Sequence, residues 1–414
     1  MIAAEIISIG DEILTGLTIN TNSTWLAAEL YKHGYNVKWI NTIADESQEI
    51  RSALLHAEER ARVIIITGGL GPTPDDLTRQ AISLFFNRKL ILHEETLAHI
   101  RKMFEVRKLK MPEVNRNQAM IPEGADIISN PVGTAPGLML EKSDAYYFFL
   151  PGVPIEMERM FTESVLDILQ VLVKSRPPLF HLIRTTGLPE SRLIEKIGDI
   201  LEESEPFLLS FLPKTSGVDI RIRLSEGFDD RIEFSSFINR LTERLDKYIY
   251  AETETQLTEI IGEMLIQKKL SLCVAESFTG GLISDTITEI AGSSAYFMAG
   301  IVTYSNRSKT KFLGVKPESI SELGAVSETV AQEMAIGAQK RFGTDCAISS
   351  TGIAGPGGAT ADKPVGLCYL AARCGSDSLV RKFNFGKDRR MNKERGTAAA
   401  LELLRRLLLN MSLP

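Results

Sequence analysis

The sequence predicts an α/β protein in three parts: an N-terminal doubly wound, mainly parallel sheet, a small middle α/β module, and a C-terminal α/β domain. Three observations carry this expectation. Apolar strand-like runs alternate with amphipathic helix-like segments over the first 165 residues, an order that gives parallel strands covered by helices on both faces. After the polar stretch "KSRPP" at 174 to 178 the pattern contracts to five short elements. After a second polar bridge, "AETETQ", the α/β alternation resumes. The expected domains are 1–173, 179–250 and 256–414.

In the first part, "AAEIISIG" reads as a strand and "NSTWLAAELYKHG" as a helix opened by an Asn or Ser cap and closed by Gly34. "YNVKWINTIA" and "RVIIITGG" read as further strands, with "SQEIRSALLHAEERA" and "DDLTRQAISLFFN" as the helices between and after them. "AYYFFLPGVP" adds a later strand that stops at Pro151. In the middle part, "LFHLIRTTG", "PFLLSFLP" and "GVDIRIRLS" are strands, while "ESRLIEKIGDILEE" and "RIEFSSFINRLTERLDKYI" are helices. This β-α-β-β-α order resembles a KH-type module. The RNA-binding version of that module grips the backbone with a basic GxxG loop, which this segment lacks, so a spacer or dimerisation element is expected.

In the last part "LSLCVAES", "AYFMAGIVTYS", "CAISSTG", "VGLCYLAARCG" and "LVRKFNFG" are strands. "SETVAQEMAIGAQKRFG" is a helix ending at Gly343, and "KERGTAAALELLRRLLLN" a closing helix.

Composition narrows the function classes. Apolar residues at 44% and charged residues at 24% exclude disordered and collagen-like chains. A net charge of −6 argues against a general nucleic-acid binder. The four cysteines, Cys273, Cys346, Cys368 and Cys374, form no CxxC pair and are expected to be free, small buried hydrophobes in a reducing compartment. "MIAAEIISIGDE" has no basic leader region, and the most apolar late stretch, "LELLRRLLLN", carries two arginines. A cytoplasmic protein with no membrane partner is expected.

Two predicted strand ends in the first domain carry the same chemistry. "SIGDEILTG" places Asp11 and Glu12 after the first strand, and "ITGGLGPTPDDLT" places Gly68, Gly69, Gly71, Asp75 and Asp76 between a buried strand and a helix start. Ligands of parallel sheets bind beyond the carboxyl ends of the strands. Glycines admit a phosphate to the backbone, and carboxylates hold a hard divalent cation such as Mg²⁺ against phosphate oxygens. The plainer alternative is that Asp11 or Asp76 caps a helix and the glycines only turn the chain. "NPVGTAPG", with Gly133 and Gly137, is a third loop able to close the pocket, and Glu156 in "PGVPIEM" lies near another strand end.

In the last domain "VAESFTGGLIS" sets Ser277 between a strand and a helix-like segment, followed by Thr279, Gly280 and Gly281, whose backbone N–H groups could stabilise an oxyanion. The alternative is that Ser277 is a helix N-cap. A nucleophilic serine needs a base, and the last histidine of the chain is His181. "VTYSNRSKTKFLGV" offers Tyr304 and Lys309 about one helical turn apart, within a basic cluster with Arg307 and Lys311 that also reads as a solvated helix face. "SSTGIAGPGG" offers Thr351, Gly352 and loop N–H groups to a polar ligand, and "FGKDRRMNKERGT" offers Arg389 and Arg390 to a phosphate.

Taken together, "GDEILTG", "TGGLGPTPDD", "NPVGTAPG" and "LPGVP" resemble the molybdopterin-binding-like domain of the CinA (competence/damage-inducible protein A) family. "AESFTGG", "AGSSAYF", "VTYSN", "GAVSETV" and "TGIAGPGG" resemble its C-terminal amidase domain. The resemblance implies that the C-terminal domain hydrolyses nicotinamide mononucleotide to nicotinic acid mononucleotide and ammonia. It further implies a metal-dependent N-terminal pyrophosphatase acting on ADP-ribose-like dinucleotides; a molybdopterin- or nucleotide-binding domain without hydrolysis is the alternative. It implies Ser277 as nucleophile with Tyr304 and Lys309 as catalytic partners, and Ser294, Thr351 and Arg389 as substrate-binding or supporting residues. Small nucleotide substrates and a homodimer are expected. Phe278 departs from the family, where many relatives have cysteine in "AESCTGG", and is expected to alter packing more than chemistry.

Overall fold

The computed structural model describes residues 1–71, 77–225, 228 and 230–410, and the chain divides into two compact units, Met1–Pro178 and Leu179–Pro414.

The first unit is built on a six-stranded sheet in the order Tyr35–Ile43, Ile2–Ile9, Val63–Thr67, Ala145–Leu150, Gly137–Lys142, Asp126–Ile128. The first four strands are parallel and the last two antiparallel. The strand Val63–Thr67 is buried along its whole length, because its alternate side chains enter two cores: Ile64 and Ile66 one, Val63 and Ile65 the other. Helices such as Thr21–Lys32 and Ser47–Arg60 bury one face each. Within the sheet, the buried Glu5 is held by Arg60 through two bonds of 2.8 Å and by Asn41 at 2.7 Å.

The second unit contains two sheets. The smaller is an antiparallel four-stranded sheet in the order Phe207–Pro213, Val218–Leu224, Phe180–Thr185, Ile249–Ala251. The helices Glu190–Glu202 and Arg231–Leu245 bury Leu193, Ile197, Phe237 and Leu241 in one core with this sheet. The larger sheet runs Phe297–Val302, Leu272–Glu276, Cys346–Gly352, Leu367–Cys374, Asp377–Asn384, the first three strands parallel and the last two antiparallel. The helices Leu257–Lys268 and Arg389–Leu408 contribute to the core on one face, and Glu328–Phe342 to the core on the other.

The expectation of four free cysteines is corrected for two of them. Cys346 and Cys374 stand directly opposite one another on neighbouring antiparallel strands and are joined as a disulfide. Spacing along the chain does not reveal this, because the pairing depends on the register of two strands. Cys273 and Cys368 are free and buried, and burial pushes the Cys273 thiol up to about 11. Among the described residues no helix is long and apolar enough to cross a membrane.

Candidate active sites

The strand Leu272–Glu276 ends in a carboxylate that organises the loop after it. Glu276 is fully buried. One of its oxygens accepts from Thr279 Oγ1 at 2.6 Å, Gly281 N at 2.9 Å and Ile283 N at 3.0 Å. The other accepts from Ser284 N at 2.9 Å and Ser284 Oγ at 2.6 Å. Glu276 therefore satisfies the amide groups that open the helix Leu282–Thr288, and Ser277 is not its cap. The Gly281 N–H, expected to face an oxyanion, is already used by this carboxylate. The N–H of Gly280 makes no hydrogen bond among the described residues. Gly280 and Gly281 have φ of 61° and 100°, left-handed values that favour glycine.

Ser277 is 8% exposed, and its backbone N–H donates to Ser350 O at 2.9 Å. The helix Asn306–Leu313 starts with a capping box made by Ser305 and Ser308 and buries Lys309 on its inner face. Lys309, 2% exposed, donates from Nζ to Ser277 Oγ at 2.9 Å and to Thr303 O at 2.8 Å. Burial without a carboxylate partner pulls the Lys309 ammonium down from its usual value to about 8. A lysine in that range supplies a neutral amine close to physiological pH, which is what a serine nucleophile requires of its base.

The remaining predicted residues take different places. Tyr304 is exposed, and its hydroxyl accepts from Arg389 Nη2 at 3.0 Å; it makes no hydrogen bond to Lys309 or Ser277. Arg389 also donates to Gly355 O at 2.6 Å. Thr351 is buried and donates to Ala325 O at 2.7 Å, and Ser294 is exposed in the short turn Ser293–Ala295. Thr279 Oγ1 is 2.7 Å from Ser350 Oγ in addition to its bond to Glu276. Gly352 makes room for a neighbour: a β-carbon there would lie 2.6 Å from the Phe278 ring and 2.5 Å from Cys368 Cβ. A β-carbon on Gly396 would lie 2.7 Å from the same ring. Phe278 is thus buried in the hydrophobic core between two glycines.

In the first unit, Asp11 and Glu12 line a cavity of about 560 Å³ together with Gly68, Gly69, Gly71 and Glu156. Gly68 and Gly69 have φ of 103° and 66°, and side chains there would collide with Ile9 O and Thr78 Oγ1. Arg79, buried, holds the turn by donating to Leu70 O at 2.6 Å and Gly71 O at 3.0 Å. Gly133 packs against the Glu156 carboxylate and donates its N–H to Asn130 Oδ1 at 2.8 Å. Gly137 does not line the cavity: it begins a buried strand, where a β-carbon would fall 2.6 Å from Met160 Cε. Asp75 and Asp76 lie outside the described residues.

The carboxylates Asp11, Glu12, Asp45 and Glu156 that line this cavity are hard oxygen donors of the type a divalent cation takes. Asp45 N donates to Asp11 Oδ1 at 3.4 Å, which keeps these two together. Among the described residues no three acidic, histidine or cysteine side chains converge on one point.

The family models for a probable molybdopterin binding domain, the damage-inducible protein CinA KH domain and the CinA C-terminal domain match residues 5–171, 181–251 and 254–408. A CinA-like protein of Chloroherpeton thalassium is 42% identical over 425 residues, covering 98% of this chain and 99% of its own. The chain belongs to the CinA family. A putative competence-damage inducible protein of Clostridium perfringens is 40% identical over 410 residues, covering 98% of both chains. Among solved structures, a CinA protein of unknown function from Thermoplasma acidophilum is 36% identical, covering 40% of this chain and 97% of that one, with a TM-score of 0.38.

Four residues of this CinA chain escaped the sequence reading. Asp45 carries the same signal as Asp11, an acidic residue just past a strand end, and was legible. Glu276 ends its strand in register with Ser350 on the neighbouring strand, but a fully buried carboxylate is the exception among glutamates. Lys393 lies on the last helix with its Nζ 3.6 Å from where a β-carbon on Gly280 would sit, and its side chain makes no ion pair or hydrogen bond among the described residues. Only the fold brings it to the Ser277 loop.

Proposed function

We propose that the C-terminal domain hydrolyses the carboxamide of nicotinamide mononucleotide, releasing nicotinic acid mononucleotide and ammonia. The observation that carries this reading is the buried contact of 2.9 Å between Lys309 Nζ and Ser277 Oγ. Ser277 Oγ attacks the carboxamide carbon while neutral Lys309 takes the hydroxyl proton, and the Thr303 carbonyl keeps the amine aimed. The Gly280 N–H, unused by any described group, is the donor this scheme gives to the developing oxyanion. Collapse of the tetrahedral adduct returns the proton from Lys309 to the leaving nitrogen, and water, activated by the same amine, then cleaves the acyl-enzyme. Tyr304, bonded to Arg389, acts on substrate position in this scheme and not as the first proton acceptor. Ammonia release from nicotinamide mononucleotide by the full-length chain tests the reading; a folded protein that releases none contradicts it.

Lys393 supplies the group expected to meet the substrate phosphate. Lys393→Met is expected to raise KM for nicotinamide mononucleotide about tenfold, the loss of one charge-assisted contact. It should leave KM for nicotinamide riboside, which lacks the phosphate, unchanged.

For the N-terminal domain we propose metal-dependent hydrolysis of ADP-ribose-like dinucleotides at the pyrophosphate. Asp11 and Asp45 are the residues that would hold the cation, whose contribution when bound is to neutralise the diphosphate beside these carboxylates. The turn through Gly68 and Gly69 brings backbone close to the ligand, and Arg79 fixes that turn. Excess chelator is expected to abolish phosphate-ester release from ADP-ribose, and Asp11→Asn to lower it by at least about a hundredfold with the melting temperature unchanged. Undiminished hydrolysis in chelator would contradict the proposal.

A further inference from the structure

The helix Arg389–Leu408 has two working faces. Lys393 and Gly396 turn toward the Ser277 loop, and a β-carbon on Gly396 would meet the Phe278 ring. Arg395, Ala398, Ala399, Glu402, Leu403 and Arg406 follow helical spacing along another stripe and line a separate cavity of about 500 Å³. Across that cavity stand the turn Thr186–Glu190 and the hairpin turn Pro213–Val218 of the KH module. The volume falls in the range of small-molecule sites.

The lining combines an aromatic surface with positive charges that have no carboxylate partner. Phe383 and Phe385 are half-buried and stacked nearly parallel, with ring centroids 5.4 Å apart and planes 18° apart. Arg381 lies 5.4 Å from the Phe383 centroid. The side chains of Arg381, Arg395 and Lys214 form no ion pair or hydrogen bond among the described residues. Glu402 does not offset them, because its carboxylate is shared by Arg405 and Arg406 at 2.7 Å each. Glu190 is the other acidic lining residue. A ligand matching this surface has a flat aromatic part to lie on the phenylalanines and an anionic part to draw in the three cations. We infer that the cavity between the KH module and the last helix is a second nucleotide site, taking a 5′-mononucleotide with its base against Phe383 and Phe385 and its phosphate among Arg381, Arg395 and Lys214. Walls on two sides suit one nucleotide better than a continuous strand.

The two native tryptophans, Trp25 and Trp39, both belong to the other unit, so Phe383→Trp introduces a local fluorophore. AMP is expected to change the fluorescence of the full-length Phe383→Trp protein saturably, with a Kd below about 1 mM. Adding Arg395→Glu should weaken that response at least tenfold while ammonia release without AMP stays unchanged. Phe385→Trp serves as a second reporter should the first variant misfold. Several results would overturn the assignment: no saturable response in either folded reporter, an identical curve with Arg395→Glu, or adenosine or inorganic phosphate binding as tightly as AMP. Tighter binding of a single-stranded oligonucleotide would overturn it in favour of a strand-binding surface.

Discussion

Ser277→Ala is expected to reduce ammonia release from nicotinamide mononucleotide by about a thousandfold or more, and Lys309→Met to do the same, since a nucleophile and its base fail together. Lys309→Arg should not rescue it. Arginine keeps the positive charge but stays protonated across the accessible pH range, and its planar fork does not reproduce the two contacts Lys309 makes to Ser277 and Thr303. The double variant Ser277→Ala, Lys309→Met should be no worse than either single one. Tyr304→Phe should cost far less, because its hydroxyl is bonded to Arg389. Steady-state rates at saturating substrate check all five variants, and a Tyr304→Phe loss equal to that of Lys309→Met would make the phenol a proton relay.

The second large effect is expected at Glu276. Its two oxygens accept five hydrogen bonds, three of them from the backbone N–H groups of Gly281, Ile283 and Ser284. Glu276→Gln turns one acceptor into a donor facing other donors, leaving buried N–H groups unpaired at about 1–3 kcal/mol each. The loop bearing Ser277 and Gly280 should loosen, so kcat should fall by about a hundredfold or more and the melting temperature should drop by several degrees. Ser284→Ala, which removes one hydroxyl from the same oxygen, should cost about 1 kcal/mol and leave kcat within a few-fold. Thermal melts beside kcat separate the two; a Glu276→Gln protein with wild-type melting and turnover would show that the carboxylate is not the loop's anchor.

What could be read in advance follows the range of the interactions. Local patterning was sufficient for the parallel core: "RVIIITGG" is apolar throughout because both faces of Val63–Thr67 are buried, and Gly34 and Gly343 end helices with positive φ of 88° and 64°. The β-α-β-β-α order of the middle module is observed, followed by the short strand Ile249–Ala251. The segment Glu94–Val106, although amphipathic with Leu97 and Ile100 buried, and the pair of three-residue strands Leu90–Leu92 and Met120–Pro122, too short to show a period, were not anticipated.

At the site, Ser277 and Lys309 could be paired from the sequence only as candidates; their contact depends on how two parallel strands and two helix starts line up. Glu276 was passed over for the serine beside it, since sequence does not tell a buried carboxylate from a solvated one. The Cys346–Cys374 pair and Lys393 depend on strand register and on a helix returning from the end of the chain. Loop glycines were the least informative residues: Gly68 and Gly280 open backbone, whereas Gly352 and Gly137 make room for neighbouring side chains.

The role of Lys309 as a neutral base has a direct signature in the pH dependence of turnover. Its folded-state pKa lies at about 8, below the usual 10.5, so the active amine form is lost as pH falls through about 8. The measurement is kcat for ammonia release from nicotinamide mononucleotide by the full-length chain between pH 6 and 10. The expected result is a rise of about tenfold per pH unit below the transition, levelling above about 8 to 9. A rate that stays flat from pH 6 to 10 with chemistry rate-limiting, or that is kept by Lys309→Arg, would contradict the assignment and require another group to take the Ser277 proton.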